Sequence, residues 1–148
     1  MFGLSIRLLI DLFSVFGAGF ALWKGGIAER LGAGVVIANV LIGDVGQWLA
    51  PDAEGVIRLC NDGFAALALL VVTVRYGALW MGGAMLFYAA QFSLHSYYLV
   101  TDRSDRDYLH AAINNLDWTG IIWCLIIGTL VAWRHRWRAP ASPEVPAP

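Results

Sequence analysis

The chain has 148 residues, of which 59% are hydrophobic and only 14% are charged, and its formal net charge is −1. A soluble domain carries roughly 25% charged residues. The deficit, together with apolar runs along nearly the whole length, predicts an integral membrane protein whose first partner is the lipid bilayer. The chain has no basic block suited to nucleic acid, which is therefore set aside as a partner.

Five apolar segments approach the roughly 20 residues that a helix needs to cross a membrane. They are predicted over residues 3–23, 30–49, 56–75, 78–100 and 109–133. Glycines, prolines and charged residues occupy the connections between them, as expected of turns and loops. The predicted fold class is therefore all-α, an integral membrane bundle of five transmembrane helices forming a single domain over residues 1–138.

The first segment is predicted to be a retained membrane helix and not a cleaved secretory signal. Its opening is apolar rather than basic, and its positive charge, Lys24, follows the apolar run. Arg7 and Asp11 are costly in lipid, but they lie four residues apart on one helical face and are expected to pair. At the other end of the chain, APASPEVPAP (139–148) predicts a disordered, proline-rich cytoplasmic tail.

The later segments carry polar residues at helical spacing, so that each set shares one face of its helix. The sets are Asp44 and Gln47; Arg58 and Asp62; Tyr88, Gln91, His95 and Tyr98; and His110, Asn114 and Asp117. Arg58 and Asp62 are expected to neutralise each other. Polar side chains inside a membrane face the bundle interior or water, so these faces are predicted to point inward.

The distribution of basic residues predicts how the bundle is oriented. In the five-span arrangement, six of the ten lysines and arginines fall on one side: Lys24, Arg30, Arg75, Arg134, Arg136 and Arg138. The opposite loops hold five of the eleven acidic residues, namely Asp52, Glu54, Asp102, Asp105 and Asp107. Because basic residues favour the cytoplasmic side, the N-terminus is predicted to be periplasmic and the C-terminus cytoplasmic, in a multi-pass protein of the bacterial inner membrane.

Combining orientation with polarity predicts a pocket on one side only. The strongly polar residues within the spans fall in the outer half of the bilayer, except Asn39 near the middle, and the inner halves are apolar. This pattern favours a polar pocket open to the periplasm above a dry plug. It argues against a channel or pump, which needs polar groups at the midplane and a route to both sides.

Three functions fit this pattern. The first is an accessory, structural or interaction role, with another membrane protein or a second copy of the chain as partner. Its polar pocket would be lined by Asp44, Gln47, Asp62, Asn114 and Asp117. The other two functions draw on the histidines.

The alternative is a membrane protein that binds a metal, haem or quinone through His95 and His110, with Gln91 and Tyr88 on the same face as His95. No sequence feature selects one of these cofactors. The third function is an intramembrane enzyme in which Asp62 or Asp117 and His95 form a proton-transfer dyad.

Several stretches resemble a group of small polytopic proteins of the bacterial inner membrane. The resemblance is carried by VRYGALWMGG (74–83), QFSLHSYYLV (91–100) and CLIIGTLVAWRHR (124–136), and more weakly by WKGGIAER (23–30). It covers most of residues 23–136. It implies a polytopic membrane protein and transfers no activity and no site residue.

Overall fold

The computed structural model describes residues 2–103 and 107–138, with side chains from residue 8 onward. Every regular element in these ranges is helical. The helices are α1 (Phe2–Lys24), α2 (Ile27–Leu49), α3 (Glu54–Tyr76), α4 (Leu79–Val100) and α5 (Tyr108–Arg138), and a 3-10 turn at Pro51–Ala53 joins α2 to α3. The predicted all-α fold with five helices is confirmed. The expected Arg7–Asp11 pair and the proline-rich tail lie outside what is described.

Two helix ends differ from the predicted boundaries. α5 continues to Arg138 instead of ending at 133, because WRHRWR contains neither glycine nor proline to stop it. α2 begins at Ile27 instead of 30, and its first turn is closed by Glu29, whose Oε2 accepts a hydrogen bond of 2.9 Å from the backbone N–H of Gly26. This carboxylate satisfies one of the donors that a helix start leaves open.

The helices form a closed ring in chain order. Each helix packs against its predecessor and successor, and α1 closes the ring against α5. Three contacts follow the α1–α5 seam: Trp118 Nε1 donates to Ser14 Oγ at 2.7 Å, and ring pairs join Phe13 to Trp123 and Phe20 to Trp133. α1 and α5 therefore run parallel, while the other neighbours are antiparallel.

Two GAG tripeptides allow close helix packing in this ring. A Cβ atom at Gly17 would lie 2.6 Å from Cγ2 of Ile122, and one at Gly32 would lie 2.5 Å from Sδ of Met81. The second glycine of each tripeptide, Gly19 or Gly34, would meet nothing within 4 Å. Each tripeptide thus turns only its first glycine toward a neighbouring helix, as expected of membrane helices that pack through small residues.

The outward faces of the helices are apolar. Large hydrophobic side chains are exposed on all five, among them Val15, Leu41, Val71, Leu86 and Leu116. Soluble monomers rarely expose contiguous apolar surface on this scale. Three stretches are long and apolar enough to cross a membrane, namely Ile27–Leu49, Pro51–Tyr76 and Tyr108–Arg138. The bundle has the surface and the helices of an integral membrane protein.

These three stretches correspond to three of the five predicted spans. The spans predicted for α1 and α4 remain predictions. α4 has 22 residues, but the polar face that contains Gln91 and His95 lowers its mean hydropathy. α1 is described with side chains only from Leu8 onward. Both helices complete the ring and expose apolar residues such as Val15 and Leu86.

The connections define two ends of the bundle. The pocket end carries the start of α1 and the α2–α3 and α4–α5 connections. The basic end carries the α1–α2 and α3–α4 turns and the end of α5. At the basic end α3 stops at Gly77, whose φ of 63° is the left-handed conformation that glycine adopts without a steric penalty.

Candidate functional site

A cavity of about 530 Å³ opens at the pocket end, and all five helices contribute to its wall. Its polar and aromatic lining consists of Asp11 from α1; Asn39, Asp44 and Gln47 from α2; Arg58, Asn61 and Asp62 from α3; Gln91 and His95 from α4; and Asn114, Asn115 and Trp118 from α5. The helix faces predicted from periodicity therefore meet around a shared space. We refer to it as the polar pocket.

A buried polar contact in the pocket wall joins α3 to α4. Nδ1 of His95 lies 2.7 Å from Oδ2 of Asp62, and both side chains are almost completely buried. The other oxygen of Asp62 accepts a hydrogen bond of 3.2 Å from Nδ2 of Asn39 on α2. The side chain of Asp62 thus ties three helices together and fixes the orientation of the imidazole.

A second amide supports this arrangement from behind. Nδ2 of Asn61 donates to the backbone carbonyl of Asn39 at 2.7 Å. Both asparagines are buried, and a buried amide is stable only when it has hydrogen-bond partners. The result is a chain of four groups, Asn61, Asn39, Asp62 and His95, in which each group positions the next.

The ion pair of Arg58 differs from the predicted pair with Asp62. Its guanidinium forms an ion pair with Glu54, one turn earlier on α3, and not with Asp62, one turn later. Asp62 faces the bundle interior, where His95 and Asn39 engage both of its oxygens, while Arg58 is about one third exposed. The positive charge of Arg58 is therefore compensated by a residue outside the pocket wall.

The residues assigned from the sequence to a polar pocket or cofactor site fall into two groups. Asp44, Gln47, Asp62, Gln91, His95 and Asn114 line the polar pocket. Within this group, Nε2 of Gln91 lies 3.4 Å from both the backbone carbonyl and the side-chain oxygen of Asn114, which links α4 to α5. Asp44 and Gln47 lie on the exposed outer half of α2.

Tyr88, His110 and Asp117 form the second group and do not line the cavity; of the three, only Asp117 was predicted to line the polar pocket. All three are buried behind the lining, at 0%, 4% and 7% exposure. The ring of His110 packs between His95 and Tyr98, with centroid distances of 5.3 and 4.6 Å. The inward faces of α4 and α5 are broader than the pocket, so only part of each face reaches the cavity.

Three buried polar atoms in this region have no hydrogen-bond partner in the described part of the chain. They are the Tyr88 hydroxyl, Nε2 of His95 and Oδ2 of Asp117. Tyr88 is close enough to Asp62, and Asp117 to His95, for electrostatic interaction, so the three atoms belong to the Asp62–His95 pair or to its neighbours. Such groups are rare in folded proteins and point to a bound water, a ligand or a chemical role.

The two histidines predicted to hold a cofactor are neighbours in the bundle. The ring centres of His95 and His110 are 5.3 Å apart, with a 42° tilt between the planes. Nδ1 of His95 is engaged by Asp62.

Among the residues that the structure describes, no group of three or more His, Cys, Asp or Glu side chains converges in a way that could hold a metal ion. The two histidines and Asp62 are neighbours, but the hydrogen bond between Asp62 and His95 occupies the atoms that face each other.

Apolar side chains close the polar pocket from below. Leu69, Met81, Ile121 and Leu125 are 0–1% exposed and belong to one continuous core. This is the dry plug predicted from the inner halves of the helices.

A smaller cavity of about 430 Å³ lies at the basic end and includes buried Glu29. The predicted start of α2 at residue 30 placed Glu29 in a loop, so the sequence did not identify this buried carboxylate.

Six polar or aromatic lining residues lie outside the set assigned from the sequence, namely Asp11, Asn39, Arg58, Asn61, Asn115 and Trp118. Asn39 and Trp118 show the difference between a residue with a sequence signal and one without. Asn39 precedes Gly43 by four residues and Gln47 by eight, so all three share one face of α2. Trp118 carried no such signal, because an aromatic residue near a helix end is typical of the membrane interface. Its indole instead forms part of the pocket wall and bonds to Ser14.

Comparisons with protein-family models, with curated proteins and with solved structures yield no match. The site is therefore interpreted from its own geometry.

Proposed function

We propose that this chain is a multi-pass protein of the bacterial inner membrane whose polar pocket opens to the periplasm and holds a small polar ligand. In this proposal it is an accessory to another membrane protein or to a second copy of itself. The observation that carries the proposal is the cavity of about 530 Å³, lined by all five helices at one end and closed below by the apolar core. Its volume is within the range of about 300–1,000 Å³ that is typical of small-molecule sites.

The opposite end supports the proposed orientation. Nζ of Lys24 lies 4.0 Å from the centre of the Trp23 ring and 5.5 Å from that of Trp133, which are cation–π distances. Arg136 donates hydrogen bonds to the backbone carbonyls of Lys24 and Gly25. Amphipathic aromatic side chains are typical of either membrane interface, and basic side chains collected at one end are typical of the cytoplasmic side.

Cysteine labelling tests both the pocket and its sidedness. Cys60 and Cys124 are replaced by alanine, and single cysteines are introduced at Gln47 in the pocket, at Arg138 on the basic end and at Val36 in the core. A membrane-impermeant maleimide should label Gln47→Cys in spheroplasts, Arg138→Cys only in inside-out vesicles, and Val36→Cys in neither. Labelling of Gln47→Cys only in inside-out vesicles contradicts the orientation, and labelling of Val36→Cys contradicts the closed floor.

The accessory role is tested by purification in mild detergent at native expression. A stoichiometric membrane-protein partner or a defined homo-oligomer is the expected result. A lone monomer contradicts the accessory role and leaves the pocket to be judged by the labelling experiment.

One observation favours a second candidate, proton transfer by the Asp62–His95 pair. A carboxylate that holds one imidazole nitrogen and leaves the other open is the arrangement of a general base and its orienting group. In that case a bound quinol or another hydroxyl-bearing ligand is the group that gives up the proton. Solvent extraction of the purified protein followed by quinone analysis tests this candidate, and absence of a stoichiometric quinone removes the quinone version of it.

A further inference from the structure

We propose that the end of α5 binds the phosphate headgroup of an anionic phospholipid, in a cavity lined by Trp133, Arg134, Trp137 and Arg138. The inference concerns the basic end of the bundle and goes beyond the function proposed for the polar pocket. It does not depend on which side of the membrane the basic end faces, because both leaflets contain lipid phosphates. It is carried by the cavity, by the two arginines and by their place at the membrane border.

The cavity at the end of α5 has a volume of about 400 Å³ and is lined by two tryptophans and two arginines. Trp133 and Trp137 are four residues apart, as are Arg134 and Arg138, so each pair lies on successive turns of one helical face. The ring of Trp133 packs against Phe20 of α1 at a centroid distance of 6.5 Å, and against Trp137 at 6.1 Å. The cavity therefore brings aromatic and cationic side chains together on a face that α1 supports.

Arg134 and Arg138 differ from Arg136, which lies between them in the sequence. Arg136 donates hydrogen bonds to the backbone carbonyls of Lys24 and Gly25. Arg134 and Arg138 are exposed, and neither makes a hydrogen bond or ion pair with any residue that the structure describes. A guanidinium is a planar fork of N–H donors that fits the oxygens of a phosphate. Both arginines thus have donors available for an anion from outside the bundle.

The charges at the basic end favour an anionic partner. Its basic residues are Lys24, Arg30, Arg75, Arg134, Arg136 and Arg138. Among the described acidic residues only Glu29 lies at this end, and it is buried and accepts a hydrogen bond from the backbone N–H of Gly26. The field outside the described part of this end is therefore that of cations without an exposed carboxylate, and it attracts anionic headgroups.

The position of the cavity favours a lipid over a soluble anion. The contact of Arg136 with the end of α1 places the last turns of α5 beside the α1–α2 turn, and the apolar surface of exposed Leu22 and Ile127 leads up to this level. Tryptophan rings are enriched at the headgroup level of a bilayer, and Trp137 is 79% exposed here. A phospholipid can therefore contact the arginines with its phosphate and the tryptophans with its glycerol and upper chain, whereas a soluble phosphate would use the arginines alone.

The test is thermal unfolding of the purified full chain in neutral detergent micelles doped with phosphatidylglycerol. Phosphatidylcholine, which is zwitterionic, and glycerol phosphate, which is the soluble headgroup, are the matched probes. Phosphatidylglycerol should raise the unfolding temperature in a saturable manner, and the other two probes should not. Equal effects of the two lipids, or of glycerol phosphate and phosphatidylglycerol, overturn the proposal.

A pair of double variants separates a binding site from diffuse surface charge. Arg134→Gln/Arg138→Gln should raise the half-saturating mole fraction of phosphatidylglycerol at least about tenfold, because it removes the charge-assisted donors. Arg30→Gln/Arg75→Gln is the matched control, since it removes the same charge from exposed positions at the same end but outside the cavity. The control should change this value by less than about threefold, because exposed charges away from the site are screened. Equal losses in the two double variants overturn the proposal.

Two further readouts keep the result independent of folding. Without phosphatidylglycerol, Arg134→Gln/Arg138→Gln should unfold at the same temperature as the native protein, because both side chains are exposed and have no partner in the described part of the chain. Native mass spectrometry should find one retained phosphatidylglycerol on the native protein and on the control, and none on Arg134→Gln/Arg138→Gln. Native protein that retains no phosphatidylglycerol, or a variant that retains it as well as the native protein does, contradicts the proposed site.

Discussion

Oδ2 of Asp62 on α3 lies 2.7 Å from Nδ1 of His95 on α4, and each side chain is only 8% exposed. Because Asn39 on α2 donates to the other oxygen of the same carboxylate, one buried group connects three consecutive helices. A buried carboxylate that loses one of these partners keeps its desolvation penalty without the compensating contact. The pair should therefore behave as a unit in stability as well as in ligand binding.

The first prediction concerns this coupling. His95→Leu should lower the free energy of unfolding by about 2 kcal/mol, because it leaves Asp62 with Asn39 alone. The double variant Asp62→Leu/His95→Leu should lose about 1 kcal/mol less than the sum of the two single variants. Reversible unfolding in mixed detergent micelles measures all three.

Ser93→Ala is the control for this cycle. Ser93 is on the same helix, is exposed and bonds only to the backbone carbonyl of Ala89 one turn earlier, so its removal should change stability by less than about 0.5 kcal/mol. Additive losses in the double variant would show that the two side chains do not stabilise each other.

The second prediction compares the two glycines of the first GAG tripeptide. Gly17→Leu should destabilise the bundle by about 1–3 kcal/mol, because its Cβ would fall 2.6 Å from Ile122 on α5. Gly19→Leu, with nothing within 4 Å of the added Cβ, should be nearly neutral. The same unfolding assay measures both, and equal losses would mean that α1 does not pack on α5 through Gly17.

The third prediction concerns the basic end. Arg136→Ala should cost about 1 kcal/mol, since it removes the donors that satisfy the carbonyls of Lys24 and Gly25 where α1 ends. Hydrogen exchange should rise selectively around the α1–α2 turn. Arg134→Ala is the control, because Arg134 is exposed two residues earlier on the same helix and has the same charge. Equal exchange in both variants would reduce the role of Arg136 to that of surface charge.

Much of the site followed from periodicity. The spacing of Gln91 and His95, and of Asp44 and Gln47, placed each pair on one helical face, and the cost of polar groups in lipid turned those faces inward. Both pairs do line the cavity. Periodicity shows which residues share a helical face, but not how that face is rotated relative to the cavity. It therefore did not separate the lining residues from Tyr88, His110 and Asp117 behind them.

The sequence did not show which polar side chains pair with each other. Asp62 had Arg58 four residues away on its own helix, yet its contact is with His95, 33 positions later. Local spacing shows which groups are able to meet, whereas the rotation of α3 against α4 decides which of them do. Arg58, turned toward the exposed side, takes Glu54 instead.

The sequence by itself determined an all-α membrane bundle with polar residues gathered at one end, because hydrophobic length and helical spacing are local properties of the chain. Only the tertiary structure decided that α1 closes the ring against α5 and that the polar faces enclose a cavity. It also decided that Asp62 holds His95 with one nitrogen left open. These features depend on how the helices rotate and approach one another, which is set by contacts between residues far apart in the sequence, such as Ser14 with Trp118 and Asp62 with His95.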